Sequence, residues 1–491
     1  TPHTAMTSPG RRRVVLLALK AGVLHLVLLL LLREGVAATN NNDDDNKADF
    51  THAISSDAFR SKFAFGSCNK QHPHTQQPLW ATIDALDVDG FFWTGDAVYP
   101  NRTDITALER ALDDQRRRPE YAKIVTNYDL VVDGTWDDHD LGLNDAGKGA
   151  PGLDARRRAF VDFLTHNSDD DGPKKRRAKL AETRRGTYVS RRFEVESFEE
   201  NMTKRSAVVI FLDCRSFRES YLIPSVGGAF RNVPVVGRLM PLVAAATRVV
   251  GYPLARYFQY AGDVLGTQQW QWFESQLQIE ADFHVVVSSI QFATSNPSFE
   301  SWAHFPRARD QFASLVKKTH PKGLVLLSGD VHHADLATFQ YAKDDDDVTS
   351  FPEVTSSGMT HTLQTSRLTR LLFPPLLAYF SAHRPRPDDY ATVLNFGLLD
   401  FDWTKPALTV TVRGRDGKPL LRPLLVTPDA FSFVDSDYYS DDDDDDDVVV
   451  SDSGVASSSG GKRRHSPSPS TQKGGLPSRS SSSSSSSSTL E

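Results

Sequence analysis

Four apolar runs in this chain end in residues that can carry chemistry. Phe63-Ala64-Phe65 leads into Gly66-Ser67-Cys68-Asn69, and Phe91-Phe92-Trp93 into Thr94-Gly95-Asp96, with Tyr99 three residues on. Leu130-Val131-Val132 precedes Thr135-Trp136-Asp137-Asp138-His139-Asp140, and Leu324–Leu327 precedes Ser328-Gly329-Asp330-Val331-His332-His333. Several carboxylates gathered in one place repel, and each loses several kcal/mol of hydration unless a counter-charge is supplied. No matching cluster of lysines accompanies them, so divalent or trivalent cations are the economical counter-charge. Carboxylates and water suit Mg²⁺, Ca²⁺ and Mn²⁺, imidazole suits zinc and iron, and thiolate with phenolate suits Fe(III). Two such ions about 3.5–4 Å apart clamp a phosphate and activate water for in-line attack.

These residues need elements that bring them together. Strand-length apolar runs occur at Lys62–Phe65, Gly90–Trp93, Tyr128–Val132, Ala207–Leu212, Phe283–Val287 and Leu324–Leu327. Helical patterns intervene at Gln77–Leu86, Asp154–Leu164, Thr267–Gln278 and Arg307–Lys317. Such alternation predicts an α/β domain with a largely buried sheet, and ligands of open α/β sheets bind beyond the carboxyl ends of the strands. Further strands near Phe339, Val354, Phe396–Phe401 and Leu408–Val412 are expected to form a second sheet. Two apolar stretches, Val233 to Phe258 and Leu363 to Phe380, are interrupted by arginine and proline. Neither offers about 20 uninterrupted apolar residues, so they read as packed insertions or a surface that touches lipid.

Gly95-Asp96, Asp138-His139 and Gly329-Asp330-Val331-His332 resemble the separated blocks of the calcineurin-like metallophosphoesterases. Within that superfamily the chain is similar to PhoD-type alkaline phosphatases. The blocks that carry the resemblance are Phe65–Asn69, Gln77–Trp80, Trp136–Asp140, Leu212–Arg215, Leu265–Trp270, Trp302 with Phe305, Pro306 and Arg309, Ser328–His332, and Glu353–Gly358. The resemblance implies a four-layer α/β sandwich, two mixed sheets flanked by helices, over 61–428. It also implies hydrolysis of phosphate monoesters or diesters by a metal-activated hydroxide at a dinuclear or multinuclear site. By the same resemblance Cys68, Asp96, Tyr99, Asp138, Asp330 and His332 are the metal ligands, with Asp96 bridging Fe(III) and Ca(II). Mn, Mg or Zn are the other metals such a site takes. His139 stands where relatives have an acid or phosphate-binding histidine, and Asp138 where they have a ligand asparagine. Asn69, Arg215 and Arg309 are implied substrate contacts, either touching the phosphate or standing behind the metal ligands. Ala97 and His333 depart from the family pattern without touching the ligand set. Read without the resemblance, Asp137 and Asp140 are structural residues of an acidic turn, and Cys68 is a core thiol or the disulfide partner of Cys214.

The rest of the sequence bounds the setting. Arg11 to Arg13 precede an apolar run, Val14 to Leu32, and then Val36-Ala37-Ala38. That order predicts a signal peptide over 1–38, or alternatively a signal anchor. A secreted or cell-surface location follows, for which Asn101-Arg-Thr and Asn201-Met-Thr are glycosylation acceptors. A polar linker is expected over 39–60 and a disordered Asp/Ser-rich tail over 429–491. The formal net charge of −7 speaks against a nucleic-acid-binding module, and the oligomeric state is left open. The rival readings are a lipid phosphodiesterase with peripheral membrane contact and a Ca-binding surface protein without turnover.

Overall fold

Side chains of a strand alternate between its two faces, and here each face has its own apolar partner. In β2 (Arg60–Gly66), Phe63 and Phe65 join an inner cluster while Ala64 joins an outer one. β3 (Gly90–Thr94) sends Phe92 inward and Phe91 and Trp93 outward. β6 (Arg205–Phe211), β7 (Phe283–Val287) and β8 (Leu324–Ser328) repeat the pattern, with Val209, Val285 and Val325 inward and Val208, Val286 and Leu326 outward. The computed structural model describes residues 47–54, 59–126, 130–165, 171–195, 204–225, 236–342, 348–365 and 367–434. The expected signal segment, Asn201 and the Asp/Ser-rich tail beyond 434 lie outside those residues.

Two mixed sheets share the inner cluster. Seven strands form one, in the order β15 (Phe431–Phe433), β14 (Leu424–Val426), β13 (Ala407–Arg413), β12 (Phe396–Asp402), β2, β3 and β4 (Val131–Thr135). Eight form the other: β1 (Phe50–Ile54), β5 (Val189–Val195), β6, β7, β8, β10 (Val348–Ser356), β9 (Ala334–Ala342) and β11 (Tyr390–Ala391). The outer face of the seven-stranded sheet packs on α1 (Leu79–Asp84), α2 (Ile105–Arg116), α3 (Pro119–Val125) and α4 (Leu153–Leu164). The outer face of the eight-stranded sheet packs on two more helices, Gly266–Leu277 and Pro306–Thr319. Helix, sheet, sheet, helix is the four-layer sandwich expected. A buried ion pair crosses its interior: Asp133 of β4 accepts from Arg191 of β5 at 2.6 Å and from Arg177 at 3.3 Å.

Three further helices complete the described elements. They are α5 (Asp171–Arg184), α6 (Val236–Tyr257) and α9 (Arg367–Tyr379), and the two on the outer face of the larger sheet become α7 and α8 in chain order.

Several expectations need correction. The linker predicted over 39–60 contains β1, which pairs in parallel with β5, and β15 extends the fold past 428. The late strands do not form one second sheet. β9 and β10 join β8, whereas β12 lies beside β2, because pairing partners are chosen by long-range packing that strand periodicity does not encode. The two cysteines are both buried and free.

The parallel strands of both sheets end at one common edge. There Thr135, at the end of β4, donates to the carbonyl of Leu212 just after β6, at 2.6 Å. Gly329, after β8, approaches so closely that a Cβ on it would overlap the Thr94 carbonyl oxygen and the Ser67 hydroxyl. That contact brings the fourth strand end to the other three.

Candidate metal centre

Four of the expected ligands sit where the chain turns sharply off a strand. Cys68, Asp96, Asp330 and His332 have φ of 61°, 50°, 71° and 58°, a left-handed conformation that costs a non-glycine residue about 1–3 kcal/mol. Each turn reverses the side chain toward the common edge. Gly95 (φ 99°) is required beside them, since a Cβ there would stand 2.7 Å from the Asp137 Cβ.

Asp96 is the hub. Its Oδ2 accepts from the Tyr99 hydroxyl at 2.5 Å and lies 3.6 Å from Cys68 Sγ, while its Oδ1 accepts from the His139 backbone N–H at 3.2 Å. Carboxylate oxygens of Asp96, Asp137, Asp138 and Asp330 all fall within 4.8 Å of one another, as do ligand atoms of Asp96, Asp138 and His139. Ser357 ties in the remaining two residues: its hydroxyl is 3.0 Å from Cys68 Sγ and accepts from the His332 N–H at 2.9 Å. Six of the seven residues read from the strand ends therefore gather around Asp96, and the His332 ring reaches Tyr99 through His361.

The electrostatics separate two kinds of carboxylate. Asp145 and Glu300 also approach Asp138, but Asp145 pairs with Arg248, and Glu300 with Arg215 and Arg218. Despite its burial, those guanidinium groups hold Glu300 well below the usual carboxylate range. Asp96, Asp138 and Asp330 have no arginine or lysine within ion-pair distance among the described residues. Burial first, then Cys68 and the neighbouring aspartates, pushes Asp96 well above the ordinary range. Burial likewise raises Asp138 and Asp330, with Asp137 adding to both. Burial pushes Tyr99 and the Cys68 thiol up and the His332 imidazole down, to about 4. Each of these shifts disfavours the charged form, and a cation held among the carboxylates would favour it instead. Asp138 Oδ1, Asp137 Oδ2 and His332 Nδ1 are buried without a hydrogen-bond partner, as ligand atoms aimed at a cation would be. The donor set fits metal: a thiol and a phenol on one oxygen of Asp96, with carboxylate oxygens of Asp137, Asp138 and Asp330 within 4.8 Å.

Of the three expected substrate contacts, Arg215 stands behind the ligands, as the resemblance also allowed, and the other two bond elsewhere. Asn69 donates to the Ala97 carbonyl at 3.1 Å and to Gln115 at 2.8 Å. Arg215 is 0% exposed, with Nε on Asp137 Oδ1 at 2.6 Å. Arg309 lies against the rings of Phe292 and Phe339, 5.5 and 4.7 Å from their centres, and lines a separate cleft of about 430 Å³. Asp140 accepts backbone N–H bonds from Val98 and Asp137 and shapes the turn. His333 and Asp335 lie in a buried cluster with His383 and Arg384.

Other residues enter that the motifs passed over. Asp137 is a full member of the carboxylate group. Lys70 places its ammonium 5.6 Å from the Tyr99 ring centre. His361 packs on Tyr99 and His332, with ring centres 5.0 and 4.5 Å away. Ser357 and His361 follow the end of β10 as the other ligands follow their strands, so the same strand-end rule could have found them. Nothing local marks Glu300, which arrives on a loop.

Comparison with known proteins bears on this geometry. No curated protein sequence matches the chain. Among solved structures, one described as the structure of PhoD aligns with a TM-score of 0.49 at 15% identity, covering 77% of this chain and 72% of that one. A dimetal phosphatase from Danio rerio aligns with a TM-score of 0.34 at 12% identity, covering 75% of this chain and 99% of that one. The family model for PhoD-like phosphatase matches residues 204–412, which include Asp330 and His332 but stop short of Cys68, Asp96, Tyr99, Asp138 and His139. Over residues 204–412 the chain is therefore similar to PhoD-like phosphatases.

Proposed function

We propose that the common strand edge hydrolyses phosphate monoesters, diesters or both, using Cys68, Asp96, Tyr99, Asp138, Asp330 and His332 to hold Fe(III) and Ca(II). The observation that carries the reading is the gathering of Asp96, Asp138 and Asp330, none paired with arginine or lysine among the described residues, beside a thiol and a phenol on one oxygen of Asp96. Thiolate and phenolate favour Fe(III), and the all-oxygen side favours Ca(II). When bound, the metals supply Lewis-acid polarisation of the phosphoryl group and an acidified water.

The protein's own groups do the rest. Asp96 fixes both sides of the centre, since one oxygen receives Cys68 and Tyr99 and the other the His139 backbone. His139 keeps its side chain 22% exposed at the mouth, with Nε2 4.0 Å from Asp138 Oδ1 and its ring 4.2 Å from that of Tyr99. There it is placed to donate a proton or hydrogen bond toward the leaving oxygen. Arg215 holds Asp137 and Glu300 in register behind the ligands instead of meeting substrate.

A location outside the cytosol is part of the same reading; it draws on the N-terminal apolar run and on the exposed acceptor Asn101. Elemental analysis of the purified protein, with turnover of a chromogenic phosphate ester on the same sample, tests the assignment. Iron with calcium and turnover supports it. Calcium alone without turnover supports the Ca-binding alternative, and absence of any metal overturns the site.

A further inference from the structure

The long helix α6 turns its apolar side outward. Val243, Val250, Leu254 and Tyr257 recur at spacings of seven, four and three, which places them on one face of a helix. All are exposed, Tyr257 at 81% and Val250 at 57%, and Phe258 just beyond is 64% exposed. The opposite face is the anchored one. Ala244, Gly251 and Ala255 are buried there, Arg248 donates to the Ser298 carbonyl at 3.1 Å and pairs with Asp145, and Tyr252 packs on His304 with ring centres 5.5 Å apart.

A second helix does the same. α9 buries Leu377 against Phe299, Val331 and Leu363 and packs Phe373 on Phe299 at 5.4 Å. Its outward side presents Leu371 and Tyr379, 73% and 81% exposed, with Pro375 and Ala378 between them. Both helices rest on the segment from Ser298 to His304, which also carries Glu300 of the acidic centre. Soluble domains do not ordinarily expose such faces without a partner.

Charge chooses the partner. The chain has a formal net charge of −7, yet 236–258 contains Arg238, Arg248 and Arg256 and no carboxylate, and 364–380 contains Arg367 and Arg370 and no carboxylate. Arg256 and Arg370 are exposed beside the apolar stripes. Apolar and aromatic side chains flanked by arginine are the composition of helices that lie in the headgroup boundary of an anionic bilayer. No helix among the described residues is long and apolar enough to cross a membrane, so the contact is one that lies on the surface. We infer that α6 and α9 form a docking face for an anionic lipid surface, which would hold the strand-edge site beside that surface. The inference stands apart from the phosphoesterase reading.

Sedimentation of the full chain with vesicles tests it, comparing phosphatidylglycerol–phosphatidylcholine mixtures with phosphatidylcholine alone. The protein is expected to pellet with the anionic vesicles and to be released as salt is raised from about 0.1 to about 0.5 M. The triple variant Tyr257→Ser, Phe258→Ser, Leu371→Ser is expected to lose about tenfold or more in vesicle affinity while turning over a soluble ester as the parent does. Equal pelleting of the triple variant assigns any lipid binding to another part of the chain and overturns the inference. Failure of the parent to pellet overturns it too. So does a fall in solution mass of the triple variant by sedimentation equilibrium, which would make the face a contact between two copies.

Discussion

Replacing Arg215 with methionine separates a buried strut from a substrate contact. The guanidinium is 0% exposed and bonds Asp137, Glu300 and the Ala146 carbonyl. Methionine keeps much of the volume but leaves the Asp137 and Glu300 carboxylates, 0% and 2% exposed, without that partner. Removing one member of a buried ion pair costs about 3–5 kcal/mol, because an uncompensated charge stays behind. Unfolding entropy near 2.1 cal/mol/K per residue gives a folded region spanning 47–434 about 0.8 kcal/mol/K. The expected fall in Tm is therefore about 4–6 °C. Thermal unfolding of the metal-loaded protein measures it, with KM and kcat determined in parallel. Adding Glu300→Gln should recover part of the loss, with a coupling of about 1 kcal/mol or more, since the second change removes one stranded charge. A variant that melts within about 1 °C of the parent while its KM rises severalfold would refute the reasoning and return Arg215 to the substrate.

Three more outcomes follow from the same geometry. Asp96→Asn should lose metal content and activity together while the far-ultraviolet circular dichroism is retained, because both sides of the centre depend on that carboxylate; the activity loss should exceed the roughly 100-fold that an outer partner costs, and normal turnover would remove Asp96 from the site. His139→Ala should keep its metal and lose about 10²–10⁴-fold in kcat, a split that elemental analysis and steady-state kinetics read directly; unchanged kcat would exclude it from proton transfer. Stability should also depend on His304, a 3% exposed imidazole that burial first, and then Arg248, holds down at about 4 from an ordinary 6.5. Between those values the unfolded chain binds the proton and the folded one does not, so stability falls as pH drops from 6.5 toward 4. The size is about 3 kcal/mol. His304→Gln should flatten that limb in urea titrations across the range, and a slope identical to the parent's would show that His304 does not carry it.

Much of the centre was legible because its signals are local. A strand followed at once by Gly-Asp, Asp-Asp-His or Gly-Asp-Val-His places a ligand at a sheet edge whatever the partner strands are, and the sharp turns at Cys68, Asp96, Asp330 and His332 complete that placement within a residue or two. The residue types alone also pointed to metal, since carboxylates crowded without lysines need a cation. That both aspartates of Asp137-Asp138 join the cluster was not legible, because both lie on one turn and the approach of Gly95 to Asp137 is set by tertiary packing. Arg215 and Arg309 look like phosphate ligands in a linear reading. Their fates were set by Asp137 and Glu300 in one case and by Phe292 and Phe339 in the other, partners 17 to 85 residues away in the chain. Strand periodicity likewise identified β9, β10, β12 and β13 but not their sheets, since an alternating pattern says that a strand has two faces and nothing about its neighbour. In α6 the apolar stripe is a property of the sequence. That the stripe faces outward is a property of the fold, imposed by Arg248 reaching inward to Asp145.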